Sequence, residues 1–163
     1  MPTDIEAIAD PRDLEGATFD ELAEVFESGT APQGAELDGL YHGRIIALAG
    51  SDRLPELARG LLATVYRSGL VPWIGKRFGI SDTGGRSGVN TWLTNAGPDF
   101  AGFECTPDGD SLLLNYDVKS NLAPLRRIRG ELRRLAPALY LGRASVSLGG
   151  NSVTVIYFTL DHS

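Results

Sequence analysis

Ionisable side chains lie within several segments that alternate like β-strands, and these are the first candidates for chemistry. Charges of this kind are costly to bury unpaired, so any that point inward must be paired or have a shifted pKa. Alternation places Glu131 and Arg133 on one face of their segment, and this pair is our first choice among the strand charges to point inward, the alternative being that they face solvent. Such carboxyl, amine and hydroxyl groups could polarise a substrate carbonyl. The candidate catalytic residues are Glu131, Tyr157, Lys76 and Tyr116.

Aromatic side chains in predicted strands form a second candidate group. Rings combined with a few hydroxyl and amide groups are typical of a small-molecule pocket. The alternative is that the same rings simply fill a core. The candidate ligand-binding residues are Tyr41, Trp73, Phe78, Asn90, Trp92, Phe103, Arg133, Tyr140 and Phe158.

Metal and cofactor chemistry has little support in the composition. A single cysteine, Cys105, excludes a cysteine-based zinc cluster, and His42 and His162 cannot form a three-histidine site. His42 follows Tyr41 in a predicted strand, so the two side chains should lie on opposite faces, and we expect His42 to point outward. Motifs for phosphate loops, dinucleotide binding and nucleophile elbows are absent. We therefore expect no metal and no cofactor.

The elements that must position these residues are predicted to be mostly strands. Short β-type runs are separated by turn residues every 8–12 positions, which favours an antiparallel sheet that closes as a barrel or a sandwich. Gly149, Gly150 and Asn151 between the last two runs indicate a hairpin. A helix with an apolar stripe is predicted over 53–69, capped by Ser51 or Asp52. The predicted strands are 39–48, 73–80, 88–94, 100–106, 111–118, 139–148 and 152–160.

The segment 124–137 fits two structures. Leu125, Ile128, Leu132 and Leu135 have the spacing of a helix stripe. The alternation around Gly130 fits a strand equally well, and a mid-segment glycine weakens a helix. Local periodicity leaves both open.

Residues 1–36 are predicted to be an acidic extension, and residues 37–163 the barrel domain. Thr18 and Glu21 form a capping box for a short helix that ends at Gly29. Residues 1–40 hold eleven acidic and one basic residue, a net charge of −10. Residues 41–163 hold ten acidic and fourteen basic residues, a net charge of +4. We expect the helix to dock near the arginine-rich segment 126–134 as a lid beside the pocket, the alternative being a disordered acidic tail.

Three sequence features resemble calycin-like β-barrels of the lipocalin and nitrobindin type. The run Gly39-Leu40-Tyr41-His42-Gly43 resembles their G-x-W-x-G opening strand, with tyrosine in the tryptophan position. The run 73–78 followed by 88–90 is similar to a W-x-G-K-x-F … G-x-N pattern of uncharacterised bacterial proteins. Segments 131–142 and 157–160 look like the last strands of that group. The resemblance implies a strand at 125–135, and it disfavours haem, because the final strands lack the histidine that binds haem in nitrobindin-type proteins.

Charge and hydropathy limit the partners and the location. An overall charge of −6 argues against nucleic-acid binding, which requires a basic surface. No run of 18 apolar residues and no signal peptide is present, so we expect a cytoplasmic protein without a membrane partner. A homodimer is compatible with the sequence.

The predicted function follows from the predicted fold. An eight-stranded barrel can hold one small ligand. We expect an apolar small molecule in the interior, handled by a cofactor-independent cyclase or isomerase of a polyketide- or terpene-like metabolite. A non-catalytic carrier or sensor is the alternative.

Overall fold

Eight antiparallel strands close into a barrel in the computed structural model, which describes residues 7–33, 36–50, 73–92 and 100–162. Each strand pairs with the next along the chain, and the last pairs with the first. The predicted mainly β fold and the closed barrel are confirmed. The strands are β1 (Gly39–Leu48), β2 (Trp73–Ile80), β3 (Arg86–Trp92), β4 (Phe100–Asp108), β5 (Ser111–Asn115), β6 (Ile128–Ala136), β7 (Leu139–Leu148) and β8 (Asn151–Asp161).

Local sequence accounts for the tight connections. Gly149 and Gly150 both have positive φ, +57° and +93°, and join β7 to β8 in the predicted hairpin. Glycine adopts these angles without the steric cost that a Cβ would bring. The helix predicted over 53–69 lies outside the described residues.

The ambiguous segment 124–137 forms a short 3-10 helix at Leu125–Arg127 and then strand β6. Gly130 faces the barrel interior, where a Cβ would come within 3.1 Å of the Leu114 side chain. The glycine that would weaken a helix thus allows the Leu114 side chain of β5 to pack closely against β6. Tertiary packing decided what local periodicity left open.

The barrel interior is the main core of the protein. Apolar side chains from seven of the eight strands meet there, together with Leu37, which precedes β1. Glu36 helps to hold the Leu37 segment at one end of the barrel, because it accepts hydrogen bonds from Arg134 (2.8 Å) and Tyr140 (3.3 Å). We call this the Leu37 end. The buried interior residues are Leu37, Tyr41, Phe78, Ala101, Phe103, Leu112, Leu114, Tyr116, Leu125, Leu132, Tyr140, Phe158 and Leu160.

A second core lies between the N-terminal extension and the outer wall of the barrel. Helix α1 (Phe19–Ser28) begins at the predicted capping box of Thr18 and Glu21 and ends before Gly29. Its buried Leu22, Val25 and Phe26 pack with the outward side chains of β7 and β8. The predicted docking is confirmed, but α1 lies along the outer wall rather than over a pocket mouth.

No helix within the described ranges is both long and apolar enough to cross a membrane.

Candidate functional site

Lys76 of β2 lies in the barrel interior with only 4% of its surface exposed. Its Nζ is 2.6 Å from Asn90 Oδ1 on β3 and 2.5 Å from the hydroxyl oxygen of Tyr116, which follows β5. Both partners are uncharged. We call Lys76, Asn90 and Tyr116 the interior polar triad.

Four aromatic rings surround the amine. Trp73, Phe103, Tyr116 and Phe158 place their ring centroids 5.0–5.5 Å from Lys76 Nζ. Aromatic faces attract a cation at such distances. They also form flat apolar walls next to the amine.

A bulge in β2 directs both Trp73 and Lys76 into the barrel. Residues three apart on a regular strand point to opposite faces. The register between β2 and β3 shifts between Trp73 and Gly75, which adds one residue and restores both side chains to the same face. A Cβ at Gly75 would come within 1.9 Å of the Tyr41 carbonyl oxygen, so this position requires glycine.

The side chain of Asn90 joins three strands. Its Oδ1 accepts hydrogen bonds from Lys76 and from Trp73 Nε1 (3.1 Å). Its Nδ2 donates to the Ala101 carbonyl (3.2 Å) and to the Tyr116 hydroxyl (3.3 Å). Ala101 is the extra residue of a bulge in β4 and has a φ of +64°, a strained value for a residue other than glycine.

Tyr116 is held in place from the backbone and from the ring. Asn121 Nδ2 donates to the carbonyl oxygens of Tyr116 (2.8 Å) and Gly102 (2.7 Å). The Tyr116 ring packs against Phe103 with centroids 5.3 Å apart. Sequence reasoning missed Asn121, because a loop asparagine carries no periodic signal.

Burial sets the protonation of the interior. Loss of water around Lys76 lowers the pKa of its ammonium from 10.5 to about 7. Burial raises the pKa of the Cys105 thiol to about 12 and also raises the pKa of the Tyr116 hydroxyl. At neutral pH, therefore, much of the Lys76 population is a neutral amine, whereas thiol and hydroxyl stay protonated. A neutral buried lysine can act as a base or as a nucleophile.

Several predicted ligand-binding residues lie in the interior. Asn90 belongs to the interior polar triad, Trp73, Phe103 and Phe158 contact it, and Trp92 is paired with Trp73 across β2 and β3. Three more lie towards the Leu37 end, where the Tyr41 ring packs edge-on against Phe78 (5.6 Å) and Tyr140 (5.8 Å). The Tyr41 hydroxyl donates to the Glu36 carbonyl (2.8 Å).

Glu131, Arg133 and Tyr157 lie on the outer wall, so the prediction that they point inward is wrong. In β6, Gly130 and Leu132 take the inward positions, and alternation turns Glu131 and Arg133 outward.

Each of these outward residues has partners in the outer wall or in α1. Glu131 accepts two hydrogen bonds from Arg143, at 2.6 and 3.2 Å. Arg133 donates to the Glu27 carbonyl (3.1 Å), and Tyr157 packs against Phe19 with centroids 4.8 Å apart.

His42 is exposed, as predicted, and lines a surface pocket of about 670 Å³ with Arg12, Arg44, Asp161 and His162. In the part of the chain that the structure describes, no three His, Cys, Asp or Glu side chains are arranged to hold a metal ion.

Among solved structures, the chain is similar to a protein from Thermomonospora curvata with a TM-score of 0.53. The sequence identity is 16%, and the match covers 93% of this chain and 92% of that chain. This likeness shows the barrel fold and carries no information on activity. No protein-family profile and no curated protein matches the chain.

Proposed function

We propose that the barrel interior binds an apolar small molecule with a carbonyl group and catalyses its cyclisation or isomerisation without a cofactor. One observation carries this proposal: Lys76 is buried with uncharged partners, Asn90 and Tyr116, among four aromatic rings. A lysine needed only for stability would be better placed on the surface, since burying its charge is costly. A calycin-like barrel is part of this proposal: the closed eight-stranded barrel and the run Gly39–Gly43 support it, and barrels of that type hold ligands in their interior.

The polar triad supplies the groups that such a reaction needs. Neutral Lys76 removes a proton from the carbon next to the carbonyl, and the Tyr116 hydroxyl donates a hydrogen bond to the oxygen as it becomes an enolate. Return of the proton to a different carbon completes an isomerisation. Attack of the enolate carbon on a second carbonyl of the same molecule completes a cyclisation.

The aromatic walls contribute shape rather than chemistry. Trp73 and Phe158 pack edge-on with centroids 5.4 Å apart, and the Trp73 indole is fixed by its hydrogen bond to Asn90. Rigid walls of this kind hold a flexible apolar chain in a folded shape. Restriction to reactive shapes is a large part of the rate gain in such reactions.

A carrier or sensor without catalysis is the second candidate. It is favoured by the position of Glu131 and Tyr157 on the outer wall, which leaves fewer ionisable groups in the interior than the sequence predicted. Both candidates bind the ligand at the same place, so turnover separates them.

Benzylideneacetone, an apolar conjugated ketone, tests binding and turnover together. Trp73 and Trp92 are the two tryptophans of the chain, and they lie in the neighbouring barrel strands β2 and β3. A ketone bound in the interior should therefore quench the tryptophan fluorescence. We expect Lys76→Met and Tyr116→Phe each to weaken binding at least tenfold, about 1.4 kcal/mol. Tyr157→Phe, which removes a hydroxyl from the outer wall, should leave binding unchanged.

Proton transfer is followed in the same samples by NMR in D₂O. We expect the wild type to speed deuterium exchange at the methyl group beside the carbonyl, and Lys76→Met to abolish this gain. Binding without faster exchange would favour the carrier. Equal quenching in wild type and Lys76→Met would overturn the proposed site.

A further inference from the structure

The Lys76 amine has the surroundings of a nucleophile rather than those of a salt-bridged cation. Its hydrogen-bond partners are an amide oxygen and a phenol oxygen, and in the described part of the chain no carboxylate contacts it. Buried lysines kept for structure are normally paired with an acid, because an unpaired charge is expensive in an apolar interior. Because no carboxylate stabilises its ammonium form, Lys76 can lose a proton readily and expose the lone pair of Nζ.

The titratable groups around Lys76 are weak acids that stay protonated. Tyr116 contacts Nζ directly, and Cys105 of β4 faces the same interior. Tyr41, which is paired with Lys76 across β1 and β2, directs its hydroxyl away to the Glu36 carbonyl. Near neutral pH, none of these groups supplies a negative charge that would fix Lys76 as an ammonium.

We propose that Lys76 forms an imine with an aromatic or otherwise conjugated aldehyde or ketone, and that Tyr116 transfers the protons of this step. The proposal rests on the proposed function and names its substrate class. Conjugation is inferred from the rings of Trp73, Phe103 and Phe158 around Nζ, since a planar group packs best against flat aromatic faces.

The step balances without any further reactant. The Nζ lone pair attacks the carbonyl carbon, and one N–H proton moves to the carbonyl oxygen to give a carbinolamine. The C–O bond then breaks as the hydroxyl takes a proton from Tyr116 and leaves as water. The nitrogen lone pair forms the C=N bond as water leaves, which gives a protonated imine beside the Tyr116 phenolate, and the remaining N–H proton can pass to the Tyr116 oxygen to give the neutral imine.

Asn90 and the aromatic rings around Nζ would stabilise an imine in this interior. A protonated imine keeps one N–H, and Asn90 Oδ1 can accept a hydrogen bond from it as it now accepts one from Lys76 Nζ at 2.6 Å. Aromatic faces stabilise the delocalised positive charge. A protonated imine is also a stronger electron sink than a ketone, so this intermediate would assist proton removal from the adjacent carbon, with the Tyr116 oxygen as the base because Lys76 is then bound to the ligand.

Reductive trapping with benzaldehyde and cyanoborohydride tests the imine directly. Benzaldehyde has no hydrogen on a carbon next to the carbonyl, so trapping is independent of the proposed proton transfer. The chain has two lysines, Lys76 and the exposed Lys119, so peptide mass spectrometry distinguishes both from the N-terminal amine. The whole protein is used, with Lys76→Met and Lys119→Met as the matched pair.

We expect a benzyl group on Lys76 at pH 7, formed at least tenfold faster than on Lys119. The rate at Lys76 should level off above pH 7, since burial lowers the pKa of this ammonium to about 7. Lys119→Met should keep the trapping and Lys76→Met should lose it. Tyr116→Phe should slow trapping at least tenfold while leaving the benzylideneacetone quench of Trp73 detectable.

Two results would overturn the imine. Benzyl groups confined to Lys119 and the N-terminus, with benzylideneacetone still bound by wild type and weakened by Lys76→Met, would remove the covalent step and leave the proposed function standing. Absence of both trapping at Lys76 and ketone binding would remove the two together.

Discussion

At the scale of single residues, the unusual feature is an amine enclosed by neutral and aromatic groups. Three hydrogen bonds of Asn90 do not involve Lys76: one with the Tyr116 hydroxyl, one with Trp73 Nε1 and one with the Ala101 carbonyl. Lys76 is therefore not needed to satisfy its neighbours. Its burial costs stability, because the charged amine loses its water.

Replacing Lys76 by Met should accordingly change how stability depends on pH. The unfolded chain holds the lysine proton up to a pKa near 10.5, and the folded chain releases it near 7. Between these values the unfolded state binds more protons, so wild-type stability rises with pH. From pH 7 to 9 we expect a gain of about 2 kcal/mol in the free energy of unfolding relative to Lys76→Met.

Urea unfolding of both proteins at pH 6, 7, 8 and 9 measures this difference. Near pH 7 and below, Lys76→Met should be as stable as wild type or more stable. Lys119→Met is the control and should follow the wild-type pH profile. Parallel profiles for wild type and Lys76→Met would show that Lys76 keeps its proton in the folded barrel.

Sequence reasoning reached part of this site. The aromatic residues that were predicted to line the interior include Phe78 of β2 and Phe103 of β4, which are buried there, and Lys76 and Tyr116 were among the predicted catalytic residues. Sequence reasoning could not show that Lys76 and Tyr116 meet, because they are 40 positions apart in the chain. Nor could it place the bulges near Gly75 and Ala101, which depend on close contact between neighbouring strands.

At the scale of elements, β6 has two faces with different partners. Leu132 fills the interior, whereas Arg133 packs over the Phe26 ring at 4.8 Å and donates to the carbonyl at the end of α1. A cation at a helix C-terminus offsets the partial negative charge of the free carbonyls. Sequence reasoning expected the attraction between the acidic helix and these arginines, but it assigned Arg133 to the ligand because alternation alone does not say which face is inside.

Removing this contact should loosen α1 and leave the interior site intact. We expect Arg133→Met to lower the free energy of unfolding by about 1–3 kcal/mol, since it removes hydrogen bonds to carbonyls and to Ser111 Oγ (2.8 Å). Benzylideneacetone affinity should not change. Arg129→Met is the matched control, because Arg129 donates to the carbonyls of Arg126 and Ile128 rather than to α1.

Circular dichroism with urea unfolding measures the stability, and tryptophan quenching measures the affinity. A loss of ligand affinity in Arg133→Met at unchanged stability would show that Arg133 contributes to ligand binding after all. Equal stability of Arg133→Met and Arg129→Met would show that Arg133 does not anchor α1.

At the scale of the whole molecule, the barrel wall separates two sets of contacts. The inner face holds the polar triad and the aromatic rings, and the outer face of β6, β7 and β8 carries the acidic extension. Turn spacing predicted an antiparallel sheet that closes as a barrel or a sandwich, because turns are local signals, whereas the pairing of β1 with β8 that makes it a barrel was expected only from the calycin-like resemblance.

We propose above all that Lys76 lies in the barrel interior as an amine that titrates near neutral pH and contacts the ligand. Carbon-13 NMR of protein labelled at lysine Cε measures this directly, and Lys119→Met assigns the two signals. We expect the Lys76 signal to titrate with a pKa of about 7, and to shift when benzylideneacetone is added. A Lys76 signal that titrates near 10, as in a free lysine, and does not respond to the ketone would contradict the account.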